Sequence, residues 1–323
     1  LWIRDFDDLI DRIVGDDTGS GRIGGKAAGL VLGAKILSQA RRTDPKAPQM
    51  PLATPESFYL RSDAMEQFVR HNGLHHVQDH KYRDLDEIRN DYPMLLELMK
   101  NAPYPPDLVE RLGQVLDRVG THPLIVRSSS LLEDRFGTTF AGKYRSVFVG
   151  NQGTREERLT ELLGAIAEVY ASSLHPDPIR YRKRHGLLDF DENMAVLIQK
   201  IVGLRAGQFF MPVWAGVAFS RNPYRRNPRI RPEDGMARIV FGLGTRAVDR
   251  VASDTPRVIP LGLPALRPEV QAKDIVAAAQ SQVDVLNLER NRFETRPVGE
   301  VLQEAPGMPG LSLVCSAVEH GVV

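Results

Sequence analysis

The chain predicts an α+β fold in two parts, and three observations carry that expectation. At 323 residues it is long enough to bury two separate cores. Up to about residue 186, amphipathic helical patterns alternate with short apolar runs of strand length. Beyond Met194, apolar strand-like runs follow one another, and no long helical pattern separates the first two, which predicts an antiparallel arrangement. The boundary is expected at Gly186-Leu-Leu-Asp-Phe-Asp-Glu192, giving parts of 1–188 and 189–323.

Bulk properties exclude several classes of function. Hydrophobic and charged contents of 42% and 26% are those of a globular protein. Against 42 basic residues stand 41 acidic ones, so the net charge of +1 favours neither nucleic acid nor a membrane surface. With no run of 18 apolar residues and no signal peptide, a cytoplasmic location is expected. One cysteine, Cys315, rules out an internal disulfide and a cysteine-built metal site, and reads as a small buried apolar residue. Leu1 in first place, rather than Met, predicts a segment of something longer.

Residues 1–14 read as a short amphipathic helix, and Gly15 to Gly21 as a polar loop. Ile23-Gly24-Gly25-Lys26-Ala27-Ala28-Gly29-Leu30 is a glycine turn running into a helix, with Leu30, Ala34 and Leu37 at helical spacing. Backbone N–H groups at such a helix start attract anions, and Lys26 adds a mobile positive charge. A P-loop is excluded, because Gly-x4-Gly-Lys-Ser/Thr is absent. Residues 41–55 form a loop, Ser57-Phe58-Tyr59-Leu60 a strand, and Ser62 to His71 a helix. His71, His75, His76 and His80 invite a metal reading, but Gly73 interrupts them and no ordered partners follow, so a solvated loop is expected.

Leu108, Leu112, Val115 and Val119 mark a helix introduced by Pro105-Pro106. Leu124-Ile125-Val126 reads as a buried strand, with Arg127, Ser128, Ser129 and Ser130 where it leaves the core. A fixed guanidinium beside hydroxyls is a receptor for phosphate oxygens. The next loop places Gly137 and Gly142 around Thr138 and Thr139, so it can approach a ligand closely. Lys143 to Val149 alternates like a half-buried strand. Thr154 and Glu157 make a capping box for a helix burying Leu159, Leu162, Leu163, Ile166, Val169 and Tyr170. Pro176 and Pro178 introduce Arg180-Tyr-Arg-Lys-Arg184, a charge run expected to be a solvated face. Strands follow at Met194–Val202, Gly216–Phe219 and Arg238–Phe241. Arg221, Arg225, Arg226, Arg229 and Arg231 cluster after the second of these, but neutral overall charge and a lack of aromatics beyond Tyr224 weigh against nucleic acid.

Taken in order, Gly24-Gly25-Lys26, Val126-Arg127-Ser128-Ser129, Glu133-Asp134, Phe140-Ala141-Gly142, Val196-Leu-Ile-Gln-Lys-Ile-Val202, Gly216-Val-Ala-Phe-Ser-Arg-Asn-Pro223 and Phe241-Gly-Leu-Gly244 resemble the nucleotide-binding domain of the phosphoenolpyruvate synthase and pyruvate, phosphate dikinase family. The resemblance spans roughly residues 20–250. It implies a two-lobed ATP-grasp-like module binding ATP and Mg²⁺, with the nucleotide held between two α+β subdomains. Lys26 and Arg127 would hold the phosphates and act catalytically, with Arg221 as a third basic group. Gly24, Gly25, Ser128, Ser129, Thr139 and Gly142 would complete the phosphate side, the loop from Thr138 to Tyr144 closing over it. Gln199-Lys200-Ile201-Val202 would present backbone groups to adenine. The module would phosphorylate a histidine on a separate carrier domain, with no nucleic-acid or membrane partner.

This chain departs from the family pattern at three places. Pro55-Glu56-Ser57-Phe58 stands where Pro-x-Gly-Phe is usual, a difference expected to touch folding more than chemistry. After Gly244 come Thr245-Arg246-Ala247-Val248, in place of Glu and a Val-Val pair. The late Asp-x-Glu-Trp and Gln-x-Arg-Pro motifs are echoed only by Leu288-Glu289-Arg290 and Glu294-Thr295-Arg296-Pro297. Either Glu289 serves as the metal ligand, or the motif lies beyond Val323; the second is favoured, with Pro309 to Cys315 read as a strand leading onward. An ATP-binding phosphotransferase fragment and a catalytically inactive nucleotide-sensing or assembly module therefore both remain open.

Overall fold

The computed structural model describes residues 7–15, 19–44, 52–133, 142–190, 192–224, 227–248, 254, 256–269 and 271–313. The chain divides into two compact units, Leu1–Ile201 and Val202–Val323. The fold is α+β with mixed and antiparallel sheets, as the sequence predicts.

The first unit opens on a one-turn helix, α1 (Asp7–Ile10), and a two-residue strand, β1 (Ile13–Val14). The single helix expected over 1–14 is thereby cut short, and residues 1–6 lie outside the described ones. Ile13 and Val14 are β-branched and gain more by joining a sheet, where the Tyr59 and Arg61 amides donate to the Arg12 and Val14 carbonyls. There follow α2 (Gly25–Thr43), β2 (Ser57–Leu60), α3 (Ser62–His71), α4 (His75–Gln78), α5 (Leu85–Asn101), α6 (Pro106–Val119), β3 (Leu124–Ser129), β4 (Ser146–Val149), α7 (Arg155–Ala171), α8 (Pro176–Arg184) and β5 (Ala195–Lys200). The five strands form one sheet in the order β1-β2-β5-β3-β4, with every pair antiparallel except β1 and β2.

Strand alternation gives this sheet two different faces. Phe58, Leu60, Leu124, Val126, Val196 and Ile198 point one way and are buried among Phe68, Leu108, Leu112, Ile166 and Tyr170 of α3, α6 and α7. Tyr59 and Leu197 point the other way, under Ala27 of α2, with Leu30 and Val31 packed beside them. Thr154 caps α7 as expected: its side chain accepts from the Glu157 amide while the Glu157 carboxylate receives the Thr154 amide. Such a cap is worth about 0.5–2 kcal/mol.

Four expectations for this unit need correction. The strand read as opening the second part is β5, which lies between β2 and β3 in the first sheet, so the division falls after Ile201 rather than near residue 188. Strand order depends on pairing between distant segments, which local patterns do not record. Next, β3 runs on through Ser129, so Arg127 and two serines are inside the strand rather than beyond it. Third, the basic run in α8 is not wholly solvated, since Arg182 is buried. Finally, His75 and His76 are exposed on α4, but His80 is buried with Nδ1 3.9 Å from Asp91, not in a solvated loop. Among the described residues, no group of three or more His, Cys, Asp or Glu is placed to hold a metal.

The second unit contains β6 (Leu204–Ala206), β7 (Phe209–Met211), β8 (Trp214–Phe219), β9 (Met236–Phe241), α9 (Thr245–Val248), β10 (Arg257–Pro260), α10 (Ala272–Ala277), β11 (Gln282–Asn287), β12 (Arg292–Pro297) and α11 (Val298–Glu304). Its two sheets are antiparallel, in the orders β10-β9-β8 and β12-β11-β7-β6. The strand containing Gly216–Phe219 thus pairs with β9 and not with β5. Leu311–Leu313 form a 3₁₀ turn in place of the expected strand, and Cys315 lies outside the described residues. No helix among the described residues is long and apolar enough to cross a membrane.

Candidate functional site

The site begins where α2 meets β3. Gly24 is buried with φ 79° and ψ 173°, a backbone conformation essentially reserved for glycine. A Cβ there would lie 1.6 Å from the Ser129 carbonyl oxygen, so the start of α2 can rest on β3 only without one. Ser129 then acts as a cap supplied from another element: its Oγ accepts from the Ala27 amide at 3.0 Å and donates to the Ile23 carbonyl at 2.8 Å. The approach to this turn is pinned by α3. Arg61 donates to the Gly19 carbonyl at 2.9 Å, the Gly21 amide to Asp63 at 3.2 Å and the Arg22 amide to Ser62 Oγ at 3.1 Å.

Docked this way, α2 sends Lys26 to Ser128, on the other face of β3. Lys26 Nζ is 3.1 Å from Ser128 Oγ and 2.8 Å from Glu133 Oε1, and Ser128 Oγ donates to Glu133 Oε2 at 2.9 Å. The Glu133 side chain is 1% exposed and that of Lys26 is 22% exposed. An ammonium has three N–H donors, and these two contacts use two of them. Among the described residues the third has no partner, which leaves it for an incoming acceptor. Glu133 therefore aims Lys26 while cancelling only part of the local positive charge.

Arg127 is the second cation. Its Nη1 donates to Gln199 Oε1 at 3.4 Å, while Nε is buried with no hydrogen-bond partner among the described residues. Burial lowers the guanidinium pKa and the nearby Glu133 carboxylate opposes that shift. One carboxylate thus attracts both Lys26 and Arg127, the first by contact and the second through space. A buried guanidinium N–H without a partner is costly unless a ligand supplies an acceptor.

Beyond Glu133 lies a second carboxylate. Ser130 Oγ donates to Glu192 and accepts from the Leu132 amide at 2.9 Å. Burial raises the Glu192 pKa; Ser130, Arg182 and Tyr144 pull it down, and Glu133 pushes it up. The Tyr144 phenol is pushed up in turn by burial and by Glu192. A folded-state carboxyl with a raised pKa keeps its proton after the unfolded chain has lost its own, so its contribution to stability falls as pH rises from the ordinary carboxylate range to the folded value. Glu192→Gln, compared with wild type by thermal unfolding from pH 4 to 7, should therefore gain relative stability as pH rises. A stability of the variant relative to wild type that stays constant, or falls as pH rises, would refute this.

The remaining sequence candidates are spread more widely. Gly25 follows Gly24 as the first residue of α2, and Gly142 is exposed with φ 74°. Thr139 lies outside the described residues, as do Thr138, Phe140 and Ala141. Lys200 pairs with Glu56 at 3.1 Å. Both backbone groups of Ile201 are engaged, its amide by the Pro123 carbonyl at 3.0 Å and its carbonyl by His122 Nε2 at 2.8 Å. Val202 is 67% exposed and starts the second unit, where Arg221 is exposed after β8. Glu289 is exposed in the turn between β11 and β12, its amide donating to Asn287.

That same hairpin carries two buried carboxylates, Asp284, which sequence reading passed over, and Glu294, which it noted only within the faint motif echo. Asp284 accepts from Thr245 and from Thr295 Oγ1 at 2.7 Å, and lies 3.6 Å from Arg246. Glu294 is held by Arg292 at 2.7 Å, Arg290 at 3.3 Å, Arg296 at 3.6 Å and Asn287 at 3.2 Å. An acidic residue inside an apolar strand, Val283-Asp284-Val285-Leu286, was the available signal.

Residues 20–304 match the family described as "Pyruvate phosphate dikinase, AMP/ATP-binding domain". A "Probable phosphoenolpyruvate synthase" of Methanocaldococcus jannaschii is 24% identical over 216 residues, covering 63% of this chain and 17% of that protein. A "Phosphoenolpyruvate synthase" of Aquifex aeolicus is 26% identical over 159 residues, covering 46% of this chain and 18% of that protein. The chain thus spans less than a fifth of the length of either relative.

Proposed function

The chain belongs to the pyruvate phosphate dikinase AMP/ATP-binding domain family, and from that premise we propose that its first unit holds the phosphates of ATP between the start of α2, Lys26 and Arg127. One observation carries the reading: two cations from distant elements are drawn to one carboxylate, and each has an N–H not spent on a partner among the described residues. Phosphoryl transfer is chiefly positioning and charge neutralisation. Lys26, aimed by Glu133 and Ser128, offers a point charge; Arg127 offers planar, directional donors that match phosphate oxygens. In a longer parent protein this module would pass a phosphoryl group to a histidine on a separate carrier domain, as the sequence resemblance implies.

Mg²⁺ would arrive on the nucleotide's own phosphate oxygens, since that ion keeps most of its ligands from water and phosphate. The described residues do not offer it a ready cradle. Glu133, Asp284 and Glu294 are each closed by cations or hydroxyls of the chain, and Glu289 stands in an exposed turn. The same closure, with Thr245 taken into the Asp284 network, favours a second reading in which the module binds nucleotide without turnover, as a sensor or assembly domain. Phosphohistidine in the parent protein after incubation with ATP would eliminate that second reading. For nucleotide binding itself, the thermal midpoint of the 323-residue chain should rise with ATP concentration, as ligation of the native state requires. An unchanged midpoint at millimolar ATP would contradict it.

A further inference from the structure

On the polyphosphate reading above, we infer that Gln199 is a positioning residue for Arg127, itself fixed by Ser57, rather than a side chain reserved for the base of the nucleotide. Ser57 and Gln199 are direct cross-strand partners on β2 and β5, and Ile125 of β3 pairs with Gln199 from the other side. Arg127 lies two residues along β3 from Ile125, on the same face, within diagonal reach. All three polar side chains therefore share the face that carries α2.

The hydrogen bonds fix which way the amide points. Ser57 Oγ donates its single proton to the Pro55 carbonyl at 2.8 Å, so toward Gln199 it can only accept. Gln199 Nε2 accordingly donates to it at 2.9 Å, which turns Oε1 toward Arg127 Nη1. Ser57 and Gln199 are 1% and 5% exposed, so no solvent competes for these groups. The result is a relay from the β2 backbone through two side chains to one N–H of the guanidinium. Holding Nη1 in place sets the plane of the fork and leaves Nε without an acceptor of its own. The Ser57 departure, read from sequence as a matter of folding, thus reaches the phosphate-binding arginine.

The test measures binding of ATP, inorganic triphosphate and adenosine to the whole 323-residue chain by calorimetry. Gln199→Ala should weaken ATP and triphosphate together, by about two- to tenfold for the loss of one positioning hydrogen bond that does not itself touch the ligand, and leave adenosine unchanged. Ser57→Ala, a smaller change that keeps the strand, should move the same two ligands in the same direction, and Ser57→Thr, which retains the oxygen, should restore them. Unchanged triphosphate affinity in both Gln199→Ala and Ser57→Ala would overturn the inference and leave ATP binding standing. A loss shared by adenosine would overturn it in favour of base recognition. Wild-type chain that binds neither ATP nor triphosphate would remove the nucleotide reading, and the inference with it.

Discussion

Gly24→Ala should abolish ATP-dependent stabilisation and lower the melting midpoint of the ligand-free chain. The backbone conformation alone costs an alanine about 1–3 kcal/mol. The new methyl would also sit 1.6 Å from the Ser129 carbonyl oxygen and 2.5 Å from its carbon, both backbone atoms of a strand inside the sheet, so neither can yield cheaply. Relief requires α2 to lift away. That breaks the Ser129 cap to Ala27 and Ile23 and withdraws Lys26 from Ser128 and Glu133. A buried carboxylate losing its cation is a second, separate cost. Gly29→Ala is the control: nothing lies within 4 Å of its Cβ position, it is exposed on the same helix, and alanine is the better helix former. If Gly24→Ala melts with wild type and keeps its ATP response, the packing of α2 on β3 is wrong.

Arg127→Ala should leave the fold largely in place but weaken ATP. A hydrogen bond to a charged group is worth about 1.5–3 kcal/mol, which is roughly 10- to 150-fold in affinity. Unlike Glu133, which is sealed by Lys26, Arg127 has a buried Nε without a partner among the described residues and touches no carboxylate there, so its removal strands none by direct contact. The loss should grow with the number of phosphates: small for adenosine, larger for AMP, largest for ATP. Calorimetry across that series decides the point. An equal loss for adenosine and ATP would show that Arg127 supports the site as a whole rather than gripping phosphate. Lys26 is the harder residue to test by deletion, because taking it away leaves Glu133 buried and unpaired.

What could be read from sequence was what local chemistry determines. The capping box of Thr154 and Glu157 and the bounds of α3 at Ser62 and His71 were legible because propensity and period act within a few residues. Gly24-Gly25-Lys26 was legible as a helix start, though not as a contact with Ser129, since that depends on which strand α2 lands on. The central position of β5 was hidden for the same reason. Register hid more still: that Ser57 stands opposite Gln199, and Gln199 beside Arg127, follows only once three strands are paired. Arg182 looked like one of a solvated run, because a basic cluster carries no mark of which member turns inward. Glu133 was noted as part of a motif, but its role in aiming Lys26 appears only in three dimensions.

A crystal structure of the chain with a non-hydrolysable ATP analogue would settle whether these two cations serve one ligand. Lys26 Nζ and a guanidinium nitrogen of Arg127 should each lie about 3 Å from oxygens of the same triphosphate. A triphosphate bound elsewhere, with Lys26 touching only Ser128 and Glu133 and no phosphate near Arg127, would contradict that.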